Sequence, residues 1–144
     1  MKIKNTLFIL IALSFSAIHL TAQSFAGIWK TVDDKTNEAR SHVEIYEQDG
    51  KLYGKLIRLL TPPPKDICDK CTGSKKNKPL LGLIIVEGLK KVKDYWTKGT
   101  IMDPENGKEY GCSIWFEAGK PDELKVRGKH WTGIYRTQTW YKVK

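Results

Sequence analysis

From residue 27 onward, apolar and polar positions exchange in short runs, and no stretch of a dozen residues keeps a helical period. Successive side chains of a strand point to opposite faces, so this rhythm describes ribbons with one dry face and one wet face. Gly27 to Val32 (GIWKTV) reads as the first strand and Ser41 to Glu47 (SHVEIYE) as the second. Lys51 to Leu60 (KLYGKLIRLL) returns after Gln48-Asp49-Gly50, which supplies the positive backbone angles of a tight hairpin. Leu80 to Glu87 (LLGLIIVE) is a nearly continuous apolar run, and Trp96 to Met102 is a further strand. In the DPENG segment, Asp103 to Gly107, an aspartate can accept hydrogen bonds within a turn, Pro104 presets its angle, and Gly107 can turn left-handed. Lys108 to Glu117 then places Tyr110, Cys112, Ile114 and Phe116 on one face, and Glu123 to Lys129 sets Leu124 and Val126 against Lys125, Arg127 and Lys129. The last strand, Ile134 to Val143, carries Arg136, Gln138 and Trp140 on one face and Thr137, Thr139 and Tyr141 on the other.

These ribbons, joined mostly by short links, predict an all-β fold: a single up-and-down antiparallel β-barrel of about eight strands, in which closure removes exposed sheet edges. The exception is the link from Thr61 to Pro79, with Pro62-Pro63-Pro64, a cysteine pair and many lysines, which predicts an ordered loop that needs a fastener. Closure sets the first strand beside the last, so Trp29 and Arg136 are expected as a barrel-closing pair, worth roughly 0.5 to 2 kcal/mol if the guanidinium lies over the indole. Gly27-x-Trp29 with a late arginine is similar to the lipocalin signature.

The first 22 residues run from Lys2 and Lys4 through an apolar stretch, Leu7 to Ile18, to the small residues Thr21 and Ala22. That is the order of a secretory signal, too short in its apolar part to span a bilayer comfortably. Cleavage after Ala22 is expected, leaving residues 23–144 as one β-barrel domain with no transmembrane segment, periplasmic or secreted. The formal charge of +9, less the two lysines of the signal, leaves +7. For an exported chain this surplus implies solubility or an anionic envelope component rather than nucleic acid. Nine lysines stand against four acids between Lys65 and Lys98. Lys75, Lys76, Lys78, Lys90 and Lys91 are expected to form a basic rim.

Three cysteines decide what CDKC can be. Zinc requires four ligands, and Cys68, Cys71, Cys112, His42 and His130 lie on scattered segments, so no metal or other cofactor is expected. A redox pair belongs at the start of a helix, which the proline-rich flank disfavours, although Lys65 and Lys70 would favour a thiolate. In an oxidising compartment the leading reading is a Cys68–Cys71 disulfide. Loop entropy gives so small a ring about 2 kcal/mol and a Cys71–Cys112 link nearer 4. Closeness in sequence, and the core face that Cys112 shares, decide for the local pair. No phosphate loop, nucleophile elbow or zinc-binding helix occurs, and Asp33, Asp34 and Asp103 suit turn capping. Catalytic residues are therefore not assigned.

The segments GIWKTVDD (27–34), SHVEIYEQDGKLYGKLIRLL (41–60), CDKC (68–71), NKPLLGLIIVEGL (77–89), DPENGKEYGCSIW (103–115), LKVRGK (124–129) and RTQTW (136–140) together resemble domain-of-unknown-function family 2147. The resemblance implies a small exported bacterial protein with a lipocalin-like barrel and brings no established activity. One departure is Tyr135, where the family often has glycine. Three functions follow as expectations. The first is noncatalytic binding of a small apolar or amphipathic ligand in the barrel mouth, with Trp29, Asp33 and Gln138 as contacts. The second is a solid barrel whose lysine-rich loops bind anionic glycan, lipid or protein, and the third is a thiol oxidoreductase acting through CxxC.

Overall fold

The computed structural model describes residues 23–144. The expected signal segment therefore lies outside the described residues. Eight strands follow in chain order: β1 (Gly27–Val32), β2 (Ala39–Gln48), β3 (Lys51–Leu59), β4 (Ile84–Val92), β5 (Tyr95–Asp103), β6 (Lys108–Phe116), β7 (Glu123–Lys129) and β8 (Tyr135–Lys142). Each pairs antiparallel with its neighbours in sequence, and β1 pairs with β8, so the sheet closes into a barrel. Among the described residues the only helical element is a single 3-10 turn, Gly73–Lys75. No helix among them is long and apolar enough to cross a membrane.

The two-residue periodicity sorts side chains to the inside and outside. Val43 and Ile45 of β2, Leu52 and Leu56 of β3, Cys112 and Ile114 of β6, and Leu124 and Val126 of β7 all point into the buried core. The β2–β3 turn is built as its sequence requires, with Asp49 at φ 52° and Gly50 at φ 70°. In the β5–β6 turn, Asp103 Oδ1 accepts the Glu105 N–H at 2.9 Å, and its backbone carbonyl accepts the Gly107 N–H at 2.8 Å.

β4 differs from expectation. It begins at Ile84 rather than Leu80, because Gly82 turns left-handed at φ 87° and breaks the apolar run. Leu80 and Leu83 are buried nonetheless, tucked in from an irregular segment rather than from a strand. A bulge at Gly88, φ 68°, then lets the strand continue through Lys90 and Lys91.

Topology gives the barrel two unlike ends. One carries the tight β2–β3 and β4–β5 turns, the β6–β7 link and both ends of the described chain. Here residues before β1 cross the opening: Phe25 packs 4.5 Å from Phe116 and edge-on to Trp96, and the Trp29 indole N–H donates to the Phe25 carbonyl at 2.9 Å. This aromatic layer plugs that end. The other end gathers the β1–β2, β3–β4, β5–β6 and β7–β8 connections, including the long loop before β4.

Candidate functional site

A cavity of about 1050 Å³ opens between the loops of this second end. Its deep wall is apolar, supplied by inward positions of successive strands: Leu56, Ile85, Met102, Val126 and Trp140, all at least nine-tenths buried. Nearer the mouth the wall becomes polar. Thr31 and Ser41 face each other across β1 and β2, their hydroxyls 2.8 Å apart. Gln138 lines the cavity, and its side-chain oxygen accepts the Trp140 indole N–H at 3.3 Å, which leaves the amide NH₂ as the end available to a guest. Around the mouth stand Arg40, paired with Glu105, and Arg136, whose Nε lies 2.6 Å from Asp34. Asp33 also lines the mouth. Its carboxylate accepts the backbone N–H groups of Lys35 and Thr36 at 2.9 and 3.0 Å, and these bonds, Thr36 first, hold its pKa below the ordinary carboxylate value. Burial pushes the pKa of Asp103 upward, against the opposing pull of Arg136 and Arg40.

The long loop forms one side of the opening and is fastened where the sequence suggested. Cys68 and Cys71 form a disulfide with Cα atoms 5.3 Å apart, and both residues are buried. An isolated bridge pairs Ile67 with Pro79 at the base of the loop. The disulfide turn rests on the β5–β6 turn: Cys71 Sγ lies 3.6 Å from Met102 Sδ. A Cβ on Gly107 would come within 1.9 Å of the Lys70 carbonyl oxygen. The loop is thus docked by backbone contact as well as by its staple, and the buried sulfurs offer solvent no thiolate.

Cys112 is a free, buried thiol whose pKa burial pushes up to about 12. His42 lies between Lys30 and Arg58 of the paired strands, away from the cavity; burial first, then these two cations, lowers its pKa. His130 stands at the mouth, with its Nδ1 2.8 Å from the Thr132 hydroxyl.

Three expectations change. Barrel closure brings β1 against β8, but the register sets Trp29 opposite Lys142, so Lys142 Nζ lies 5.7 Å from the Trp29 ring and Arg136 sits six residues up the strand at the mouth. Trp29 packs beneath the cavity and does not line it, whereas Asp33 and Gln138 do. The five lysines do not form one rim. Lys90 and Lys91 lie toward the plugged end of β4, Lys75 pairs with Glu87 at 2.8 Å, Lys76 bonds the Asp69 carbonyl, and none of the five lines the cavity. The mouth's cations are Arg40, Lys65, Lys70 and Arg136, which no alternation pattern singles out, because the folding of the long loop places two of them. Tyr135 is accommodated on the outer face, where the Arg127 guanidinium stacks 4.3 Å from its ring and 4.9 Å from that of Trp115.

A closed eight-stranded meander plugged at one end and hollow at the other is a lipocalin-like barrel. In agreement, the structure is similar to that of protein HP1028 from the human pathogen Helicobacter pylori, which is described as belonging to the lipocalin family. The TM-score is 0.71 at 21% identity, over 84% of each chain. Residues 27–142 match the family described as "Uncharacterized protein conserved in bacteria (DUF2147)", and the chain belongs to that family. No curated protein matches the sequence.

Proposed function

We propose that this protein is an exported, noncatalytic carrier that holds one small amphipathic molecule in the barrel mouth. The observation that carries this reading is the cavity of about 1050 Å³, apolar in its depth and polar to charged at its opening. A volume near the top of the range of about 300 to 1,000 Å³ for small-molecule sites suits an acyl chain or fused-ring body with a polar head. Trp140 and Met102 would contact the apolar part, and Thr31, Ser41 and Gln138 the polar part. Support for export comes from the charged-apolar-small order of residues 1–22 and from an oxidised cysteine pair, which persists outside the reducing cytosol.

Gly128 provides the test. It lines the cavity with a φ outside the left-handed region, and a Cβ built on it meets Ile101 and Tyr110 at 3.5 Å, which is normal contact. Gly128→Leu therefore fills part of the hollow without straining the backbone. Titration with 1-anilinonaphthalene-8-sulfonate, followed by displacement with a panel of fatty acids, lysophospholipids and sterols, is expected to show saturable binding that weakens at least about tenfold in Gly128→Leu. Equal affinity in the two proteins, with both fully folded by circular dichroism, refutes occupancy of the cavity.

A further inference from the structure

The mouth of the cavity carries more exposed apolar surface than a guest would cover: Ile67, Ile134 and Tyr135 belong to its lining, and Trp131 and Leu81 stand outside it, all five held in water. The link between β7 and β8 is a tight, hydrogen-bonded tip. The His130 N–H donates to the Ile134 carbonyl at 2.7 Å, and the Gly133 N–H donates to the His130 carbonyl at 2.9 Å. Yet this ordered tip presents Trp131 at 89% exposure, Ile134 at 75% and Tyr135 at 59%. Trp131 is the one indole left in the open, since Trp29, Trp96 and Trp140 are buried and Trp115 is partly covered. Ile67 and Leu81, on the loop across the mouth, are also exposed, so five of the eight large exposed apolar side chains among the described residues stand at this end of the barrel. Isolated exposed side chains are ordinary, but a set gathered around one opening marks a contact surface.

The charges around this surface indicate its partner. Of the acids at the mouth, Asp34, Asp69 and Glu105 are each taken up by a cation, Arg136, Lys65 and Arg40 respectively, Asp33 and Asp103 are held by hydrogen bonds within their own turns, and Glu109 stands near Lys129 beside the tip. From Leu124 to Gln138 there is no acid, but there are Lys125, Arg127, Lys129 and Arg136. Among the described residues, no carboxylate lies within ion-pair distance of Arg127 or Lys129, which flank the aromatic tip. Trp and Tyr favour the headgroup layer of a bilayer, where an apolar ring and a polar edge are both satisfied, and nearby cations gain from anionic lipid. We infer that the β7–β8 tip, with Trp131 as its anchor, seats the mouth of the barrel on an anionic lipid bilayer. A guest would then pass between membrane and cavity without crossing bulk water. The seating itself does not depend on the ligand reading.

The test is partition of the intact residue 23–144 protein onto phosphatidylcholine vesicles with and without about a third phosphatidylglycerol, read by co-sedimentation and by quenching of indole emission with brominated lipid. Binding is expected only to the anionic vesicles, with emission quenched because Trp131 enters the interface, and with loss at high salt. Trp131→Ala is expected to weaken partition about tenfold, through lost apolar burial. Lys129→Ala should weaken it about fivefold, from one lost cation near the surface. Both positions sit on the exposed tip, so circular dichroism should remain that of the wild type. No partition at millimolar lipid, or equal partition of wild type and Trp131→Ala, overturns the inference. So does concentration-dependent dimerisation abolished by Trp131→Ala in place of vesicle binding, which would make a second copy the occupant.

Discussion

Replacing Gly107 with alanine probes the contact that holds the long loop over the mouth. Two penalties act at this residue. Its φ of 71° is left-handed, which costs an alanine about 1 kcal/mol, and the added Cβ would lie 1.9 Å from the Lys70 oxygen and 2.9 Å from the Cys71 nitrogen. Backbone atoms cannot rotate away as a side-chain tip can, so the disulfide turn must lift. Displacement of that kind costs about 2 kcal/mol more. The expected loss is about 3 kcal/mol, or about 10 °C or more in melting temperature for a domain of this size. Gly50→Ala isolates the first penalty, because Gly50 has φ 70° and nothing within 4 Å of its added Cβ, so it should lose only about 1 kcal/mol. Urea unfolding of both variants measures the difference. In a Cys68→Ser/Cys71→Ser background the loop yields more easily, and Gly107→Ala should cost less. Equal losses for Gly107→Ala and Gly50→Ala, within about 0.5 kcal/mol, would show that the loop is not pressed onto the turn.

The double variant Cys68→Ser/Cys71→Ser should itself lose about 2 kcal/mol in urea, the value for so short a ring; no change would deny the staple a structural role. Cys112 should react with thiol reagents only on unfolding. Its folded pKa of about 12 lies above the ordinary 9.0, so the unfolded chain releases this proton first as pH rises. Stability should therefore fall between pH 9 and 12 by up to about 1.4 kcal/mol per unit, and Cys112→Ala should lack that part of the slope. At the closure seam, Lys142→Met should cost about 0.5 to 1 kcal/mol through its cation over Trp29. Arg136→Gln, which removes an exposed ion pair, should stay within about 0.5 kcal/mol, and the reverse ranking would restore the Trp29–Arg136 pairing.

The barrel was legible because its signals are local. Inward alternation in KLYGKLI and LKVRG, the Asp49-Gly50 turn and the Asp103 to Gly107 turn each bind their own neighbourhood to one geometry. The CxxC pairing was legible for the same reason, since three residues of separation leave little freedom. What pattern could not show was stagger. Alternation states which face Arg136 occupies, but only the β1–β8 register states that Lys142, and not Arg136, meets Trp29. β4 escaped because LLGLIIVE reads as continuous unless Gly82 is known to turn left-handed. The lysine rim failed because β4 carries Lys90 and Lys91 toward the plugged end, while the long loop turns Lys75 onto Glu87 and Lys76 onto the Asp69 carbonyl. The hollow itself depends on how far the long loop between β3 and β4 folds inward, a property of tertiary packing that no periodicity encodes.

Native mass spectrometry of the protein, purified without denaturants from its producing cells, reads occupancy of the barrel. A carrier should give a species heavier than the chain by one small amphipathic molecule, released on unfolding and much depleted in Gly128→Leu. The bare chain mass in both proteins, together with failure of the stripped wild type to take up any member of the lipid panel, would contradict it.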